Sequence, residues 1–91
     1  MEAIKYFYSE YEIVEDNDAL KLYIEIPGFE KEDIEIKYTH PYVKIKTKNK
    51  NILNASYELT FFTELEPKNA TLKNGILCLE FKTKSKKITI K

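Results

Sequence analysis

The chain has no arginine and no tryptophan, and its 91 residues include only two glycines, three prolines, one cysteine, one histidine and one methionine. Each shortage closes a route. A single cysteine allows no internal disulfide framework and suits a reducing compartment. One histidine and one cysteine fall short of the three or four nitrogen or sulfur ligands that a zinc site usually takes. Gly28 and Gly75 stand too far apart to form a glycine-rich phosphate loop. Because every cation is lysine, the bidentate contacts by which arginine reads guanine or grips phosphate are missing. No stretch resembles a transmembrane span or the apolar core of a signal peptide. The expectation is a cytoplasmic protein without cofactor, with neither nucleic acid nor a membrane as partner.

Catalytic chemistry has little to work with. His40 sits in a Thr-His-Pro turn, where an exposed polar residue is ordinary, and Cys78 lies between Leu77 and Leu79, where a small hydrophobe fits. Nothing in the sequence orients either as nucleophile or base. Asp16-Asn17-Asp18 lacks the following glycine and the distal glutamate of a calcium loop, so it reads as a turn. An enzyme is not expected.

What the chain has in quantity is alternation with period two. Leu20, Leu22, Ile24 and Ile26 alternate with Lys21, Tyr23 and Glu25. The same holds for Ile34, Ile36 and Tyr38, for Val43 and Ile45, and for Leu77, Leu79 and Phe81. Each run predicts a half-buried strand, and the β-branched and aromatic stretches 11–15 and 56–64 add further strands. Turn chemistry separates the runs at Asp16-Asn17-Asp18, Pro27-Gly28, Thr39-His40-Pro41, residues 48–51 and Asn74-Gly75. Asn-Gly between apolar runs is a strong hairpin signal because both positions tolerate positive φ. Residues 30–33 allow one helical turn at most. Together the pattern predicts one all-β domain, an immunoglobulin-like antiparallel β-sandwich of seven or eight strands, with a small barrel as the other geometry.

Charge is zero overall but segregated. Residues 1–35 hold eleven acids and three lysines, and residues 36–91 hold four acids and twelve lysines. The two halves are expected to attract each other, within or between chains. The chain ends on Lys84-Ser85-Lys86-Lys87-Ile88-Thr89-Ile90-Lys91, where two isoleucines stand among four cations. Disordered tails seldom retain branched apolar residues, so this segment is either a final strand of its own sheet or a docking motif.

Two stretches go beyond generic β patterning. Ile26-Pro27-Gly28-Phe29-Glu30-Lys31-Glu32-Asp33-Ile34-Glu35-Ile36 resembles the signature of small heat-shock proteins, the α-crystallin domain family. Ala70-Thr71-Leu72-Lys73-Asn74-Gly75-Ile76-Leu77 resembles that family's Ala-x-x-x-Asn-Gly-Val-Leu hairpin. Pro27, Gly28, Ala70, Asn74, Gly75 and Leu77 are the signature positions. The resemblance implies an α-crystallin-type sandwich over residues 11–83, a short N-terminal extension over 1–10 and a tail over 84–91. It implies that Ile88 and Ile90 dock in a groove lined by Ile34, Ile36, Tyr38, Ala70 and Leu72. It also implies an ATP-independent chaperone that binds unfolding client proteins and limits their aggregation; Tyr6, Phe7, Tyr8 and one of Phe61 or Phe62 are expected either to contact clients or to complete the sandwich core.

The departures from the family pattern carry expectations of their own. About ten residues precede the first matching strand, where members usually have a long apolar arm. Between Ile45 and Tyr57 the chain is too short for the loop that microbial members exchange between subunits. A homo-oligomer is therefore expected to be a dimer or small assembly. The short loop also resembles the related CS-domain co-chaperones, which makes an adaptor docking on one partner protein the alternative function.

Overall fold

The computed structural model describes residues 11–83 and 89–91. Seven antiparallel strands follow one another: β1 (Tyr11–Asp16), β2 (Ala19–Glu25), β3 (Ile34–Thr39), β4 (Tyr42–Thr47), β5 (Ser56–Thr60), β6 (Leu65–Lys73) and β7 (Ile76–Thr83). A single 3-10 turn over Lys31–Asp33 precedes β3. One sheet has the order β1-β2-β7-β6 and the other β3-β4-β5. The expected sandwich of seven or eight strands is what the chain forms.

The alternation read from the sequence becomes the core. In β2, Leu20, Leu22 and Ile24 pair directly with Phe81, Leu79 and Leu77 of β7, so both strands turn their apolar residues to one face. Val43 and Ile45 of β4 meet them from the other sheet, and Ile26 and Leu65 complete the buried set. Burying each such side chain contributes roughly 1.5–3 kcal/mol. Among the described residues Thr47 is the buried polar one, and its hydroxyl accepts from the Ala55 amide at 2.7 Å.

The turns match their chemistry. Asn74 and Gly75 adopt φ of 52° and 76° between Lys73 and Ile76, the left-handed pair that a primed two-residue turn requires. Asn17 does the same at φ 54° between β1 and β2. His40 and Pro41, joined by a cis peptide bond, make the two-residue turn from β3 to β4. The two signature stretches are in physical contact. The Ile26 amide donates to the Gly75 carbonyl at 2.8 Å, and a Cβ on Gly75 would lie 3.4 Å from Pro27 Cα. Gly75 thus serves the turn and the close approach together.

The connector over residues 48–55 folds back on its own sheet. Asn54 Oδ1 accepts from the Asn49 amide at 2.7 Å, while Asn54 Nδ2 donates to the Asn49 carbonyl at 3.0 Å. Asn49 Nδ2 in turn donates to Asp33 Oδ2 at 3.1 Å, and that oxygen also accepts from the Glu30 amide.

The strand before the Asn-Gly turn is not confined to the hairpin motif that starts at Ala70: β6 begins at Leu65 and crosses an irregularity between Pro67 and Asn69. Proline cannot donate to a ladder, which argues against a strand in the middle of a sheet. β6 is an edge strand, where that loss is tolerated.

Candidate apolar groove and the family of the chain

β3 and β6 are edge strands of different sheets. They lie on the two sides of an open groove of about 370 Å³, lined by Ile36, Tyr38, Pro67, Lys68, Asn69, Ala70, Leu79, Glu80 and Phe81. The floor comes from β7, whose Leu79 and Phe81 are part of the core. Ala70 pairs with Leu79 and so shares its face. Its single methyl keeps the slot open where a larger side chain would fill it. On the other wall Ile36 is 36% exposed, although it continues the inward alternation of β3. The reason is positional: the inner face of β3 looks into the groove and is only partly covered.

Tyr38 spans the gap. Its ring meets Phe81 edge-on with centroids 5.7 Å apart, and its hydroxyl accepts from the Leu65 amide of β6 at 3.1 Å. The same hydroxyl lies 3.3 Å from His40 Nδ1. Lys68 Nζ sits 3.7 Å from Glu80 at the rim, so that wall is close to neutral. The groove therefore offers an apolar floor, two strand edges and little net charge. It suits an extended segment with apolar side chains two residues apart.

Of the residues expected to line it, Ile36, Tyr38 and Ala70 are brought together. Ile34 and Leu72 lie outside the lining and pack, half-buried, against the core. Leu77 is buried in that core, and Pro27, Gly28, Asn74 and Gly75 build the turns described above. Phe62 is 88% exposed, whereas Phe61 packs on the core. Tyr6, Phe7, Tyr8 and Ile88 lie outside the described residues, and Ile90 is 93% exposed. Sequence reasoning missed Leu79, Phe81 and Pro67 as groove residues. The first two carried only a core signal, and Pro67 carried a signal against a strand.

Among the described residues no cluster of histidine, cysteine and carboxylates is arranged to hold a metal ion. No described helix is long and apolar enough to cross a membrane.

The fold is shared with solved small heat-shock proteins. The protein from Xylella fastidiosa superposes with a TM-score of 0.75 at 14% identity, covering 96% of this chain and 95% of its own. Heat shock protein 16.0 from Schizosaccharomyces pombe gives 0.71 at 18% identity, covering 91% and 97%. HSP18.5 from E. histolytica gives 0.72 at 19%, covering 91% and 94%. A search of curated proteins found no significant match. The model of the Hsp20/alpha crystallin family matches residues 12–91, nearly the whole sequence. The chain belongs to the Hsp20/alpha crystallin family.

Proposed function

We propose that the protein is an ATP-independent holdase that captures extended apolar segments of unfolding proteins and limits their aggregation. The observation that supports this most is the groove between β3 and β6, apolar at its floor and bounded by two strand edges. Unfolding chains expose just such segments, and an edge-lined apolar slot competes with their pairing to one another. An isoleucine pair with one residue between, as in Ile88-Thr89-Ile90, has the spacing to enter the same slot. The working protein is a small homo-oligomer in the cytoplasm, with residues 11–83 as its sandwich, 1–10 as an extension and 84–91 as a tail. The exposed Phe62 adds apolar client surface, as would Tyr6, Phe7 and Tyr8.

Light scattering of a heat-labile client tests the reading. The wild-type protein delays aggregation, and Ala70→Trp, which fills the groove from an exposed position, removes most of that protection while the melting temperature holds. Equal protection by both proteins would sink the groove reading. A second reading, an adaptor that docks on one partner, is favoured by the self-fastened connector at 48–55. It predicts that even the wild-type protein fails to protect unrelated clients.

A further inference from the structure

Histidine is the side chain that ordinarily changes charge between about pH 5 and 8, and the chain has one, His40. Its sequence context suggested no chemical role, but the fold sets it beside the bridge that spans the groove. Thr39 pairs with Tyr42 across the turn, and the Phe61 amide donates to the Pro41 carbonyl at 2.7 Å, so the backbone carrying the imidazole is fastened on both sides. The residue is exposed, and its ring meets that of Tyr38 edge-on with centroids 6.4 Å apart. Nδ1 lies 3.3 Å from the Tyr38 hydroxyl, the same oxygen that accepts from the Leu65 amide at 3.1 Å.

We infer that His40 is a positioning residue for the groove: its neutral imidazole holds the Tyr38 hydroxyl in the bridge to Leu65, and its protonation loosens that bridge. The functional consequence rests on the holdase reading of the groove. A phenolic hydroxyl has one hydrogen to donate and can accept as well. With the Leu65 N–H already directed at the oxygen, Tyr38 is left to donate, and Nδ1 is the acceptor beside it. That requires the neutral ring with its proton on Nε2. Donor and acceptor then match at both steps, from Leu65 N–H to Tyr38 O–H to His40 Nδ1, and bonds linked in this way strengthen one another. In the imidazolium both ring nitrogens are donors. Two N–H groups then point at one oxygen, and the Tyr38 hydrogen loses its acceptor. Because the Tyr38 ring also packs against Phe81 of the floor, a loosened Tyr38 leaves that wall less ordered before a segment binds. Ordering it on binding lowers affinity.

Among the described residues, the titratable and charged groups on the elements around this bridge are few. Lys37 and Lys44 pair across β3 and β4 on the outer face, alternating with Tyr38 and Val43, and Tyr42 lies on that face beside the turn. Glu66 and Lys82 pair across β6 and β7 and take the outer side of the other sheet, as Phe81 takes the inner. Lys68 and Glu80 sit beside each other at the rim. Glu64 is exposed and immediately precedes Leu65, so it is the carboxylate that a test must separate from His40.

Nuclear magnetic resonance of the full chain between pH 8 and pH 5 tests this, and with one histidine the ring signals report a single titration. At pH 8 the ring nitrogen shifts are those of the Nε2–H tautomer. As the ring takes its proton, the Leu65 amide shift moves with the same midpoint. Its protection from exchange, corrected for the intrinsic effect of pH, falls about two- to tenfold, the equivalent of one hydrogen bond. A blocked peptide with two valines one residue apart, and lysine as its only ionisable side chain, binds more weakly at pH 5 by a similar factor. His40→Gln supplies an amide oxygen that accepts without titrating, and it makes both Leu65 and peptide affinity indifferent to pH. Tyr38→Phe leaves the histidine titrating but uncouples Leu65 from it, whereas Glu64→Gln keeps the wild-type response. The inference is overturned if Leu65 does not follow the ring, if the neutral ring carries its proton on Nδ1, if the response survives His40→Gln, or if it vanishes in Glu64→Gln. Peptide binding that is equal at the two pH values, or tighter at pH 5, overturns it as well. A peptide that binds at neither pH counts against the holdase groove alone, and the Leu65 amide then decides the role of His40 by itself.

Discussion

The sandwich has two contrasting margins. Where β3 and β6 approach each other, the edges overlie Leu79 and Phe81, and the wall is apolar with its charges paired at the rim. At β1 the edge overlies little, every residue is exposed and carboxylates predominate. An apolar contact made at the first margin would draw on buried area and persist in salt. Attraction at the second acts through solvent and fades as the screening length falls from about 8 Å at physiological ionic strength to 3 Å at 1 M. One small domain thus presents two kinds of edge, and the difference comes from what lies beneath each.

The contrast can be pressed from its strongest element downward. Leu79→Ala removes a side chain that is 3% exposed and serves both core and groove floor. It should lower stability by about 2–5 kcal/mol in urea unfolding, and a loss under 1 kcal/mol would mean that the floor is not core. Tyr38→Phe leaves the Leu65 amide without its acceptor across the groove. A loss of about 1–3 kcal/mol is expected, and no loss would show that the bridge does not hold the two walls. Ile13→Ala, on the exposed margin, should change stability by no more than about 0.5–1 kcal/mol, as surface substitutions do. A cost equal to that of Leu79→Ala would erase the distinction between the margins.

Much of this was legible residue by residue. Strict alternation at 20–26 and 77–81 identified two strands and their inner faces, because period two leaves one choice of face once a core exists. Asn74-Gly75 marked its hairpin through backbone conformation alone, which is a local property. The groove was legible only in part. Ile36, Tyr38 and Ala70 could be named through family resemblance, yet the floor belongs to β7, and strand order within a sheet is not written locally. Ile34 and Leu72 alternate as well as their neighbours do, yet they pack half-buried against the core and lie outside the lining. The start of β6 at Leu65 was hidden by Pro67, whose missing amide hydrogen matters little on an edge. The exposure of β1 could not be read either, since Tyr-Glu-Ile-Val has the composition of a covered strand.

The fastened connector between β4 and β5 has a consequence for how chain length could change here. Asn49 and Asn54 clasp each other across a loop whose tip, Lys50 and Asn51, points into solvent. Closing a flexible loop grows costlier only with the logarithm of its length, about 0.6 kcal/mol for each doubling. Residues added at the tip would therefore tax the fold lightly, provided the asparagine clasp stays shut. The clasp separates the entropy of whatever lies beyond it from the cooperativity of the sandwich, so this point of the chain can absorb an insertion, a tag or a reporter without the rest of the domain registering it.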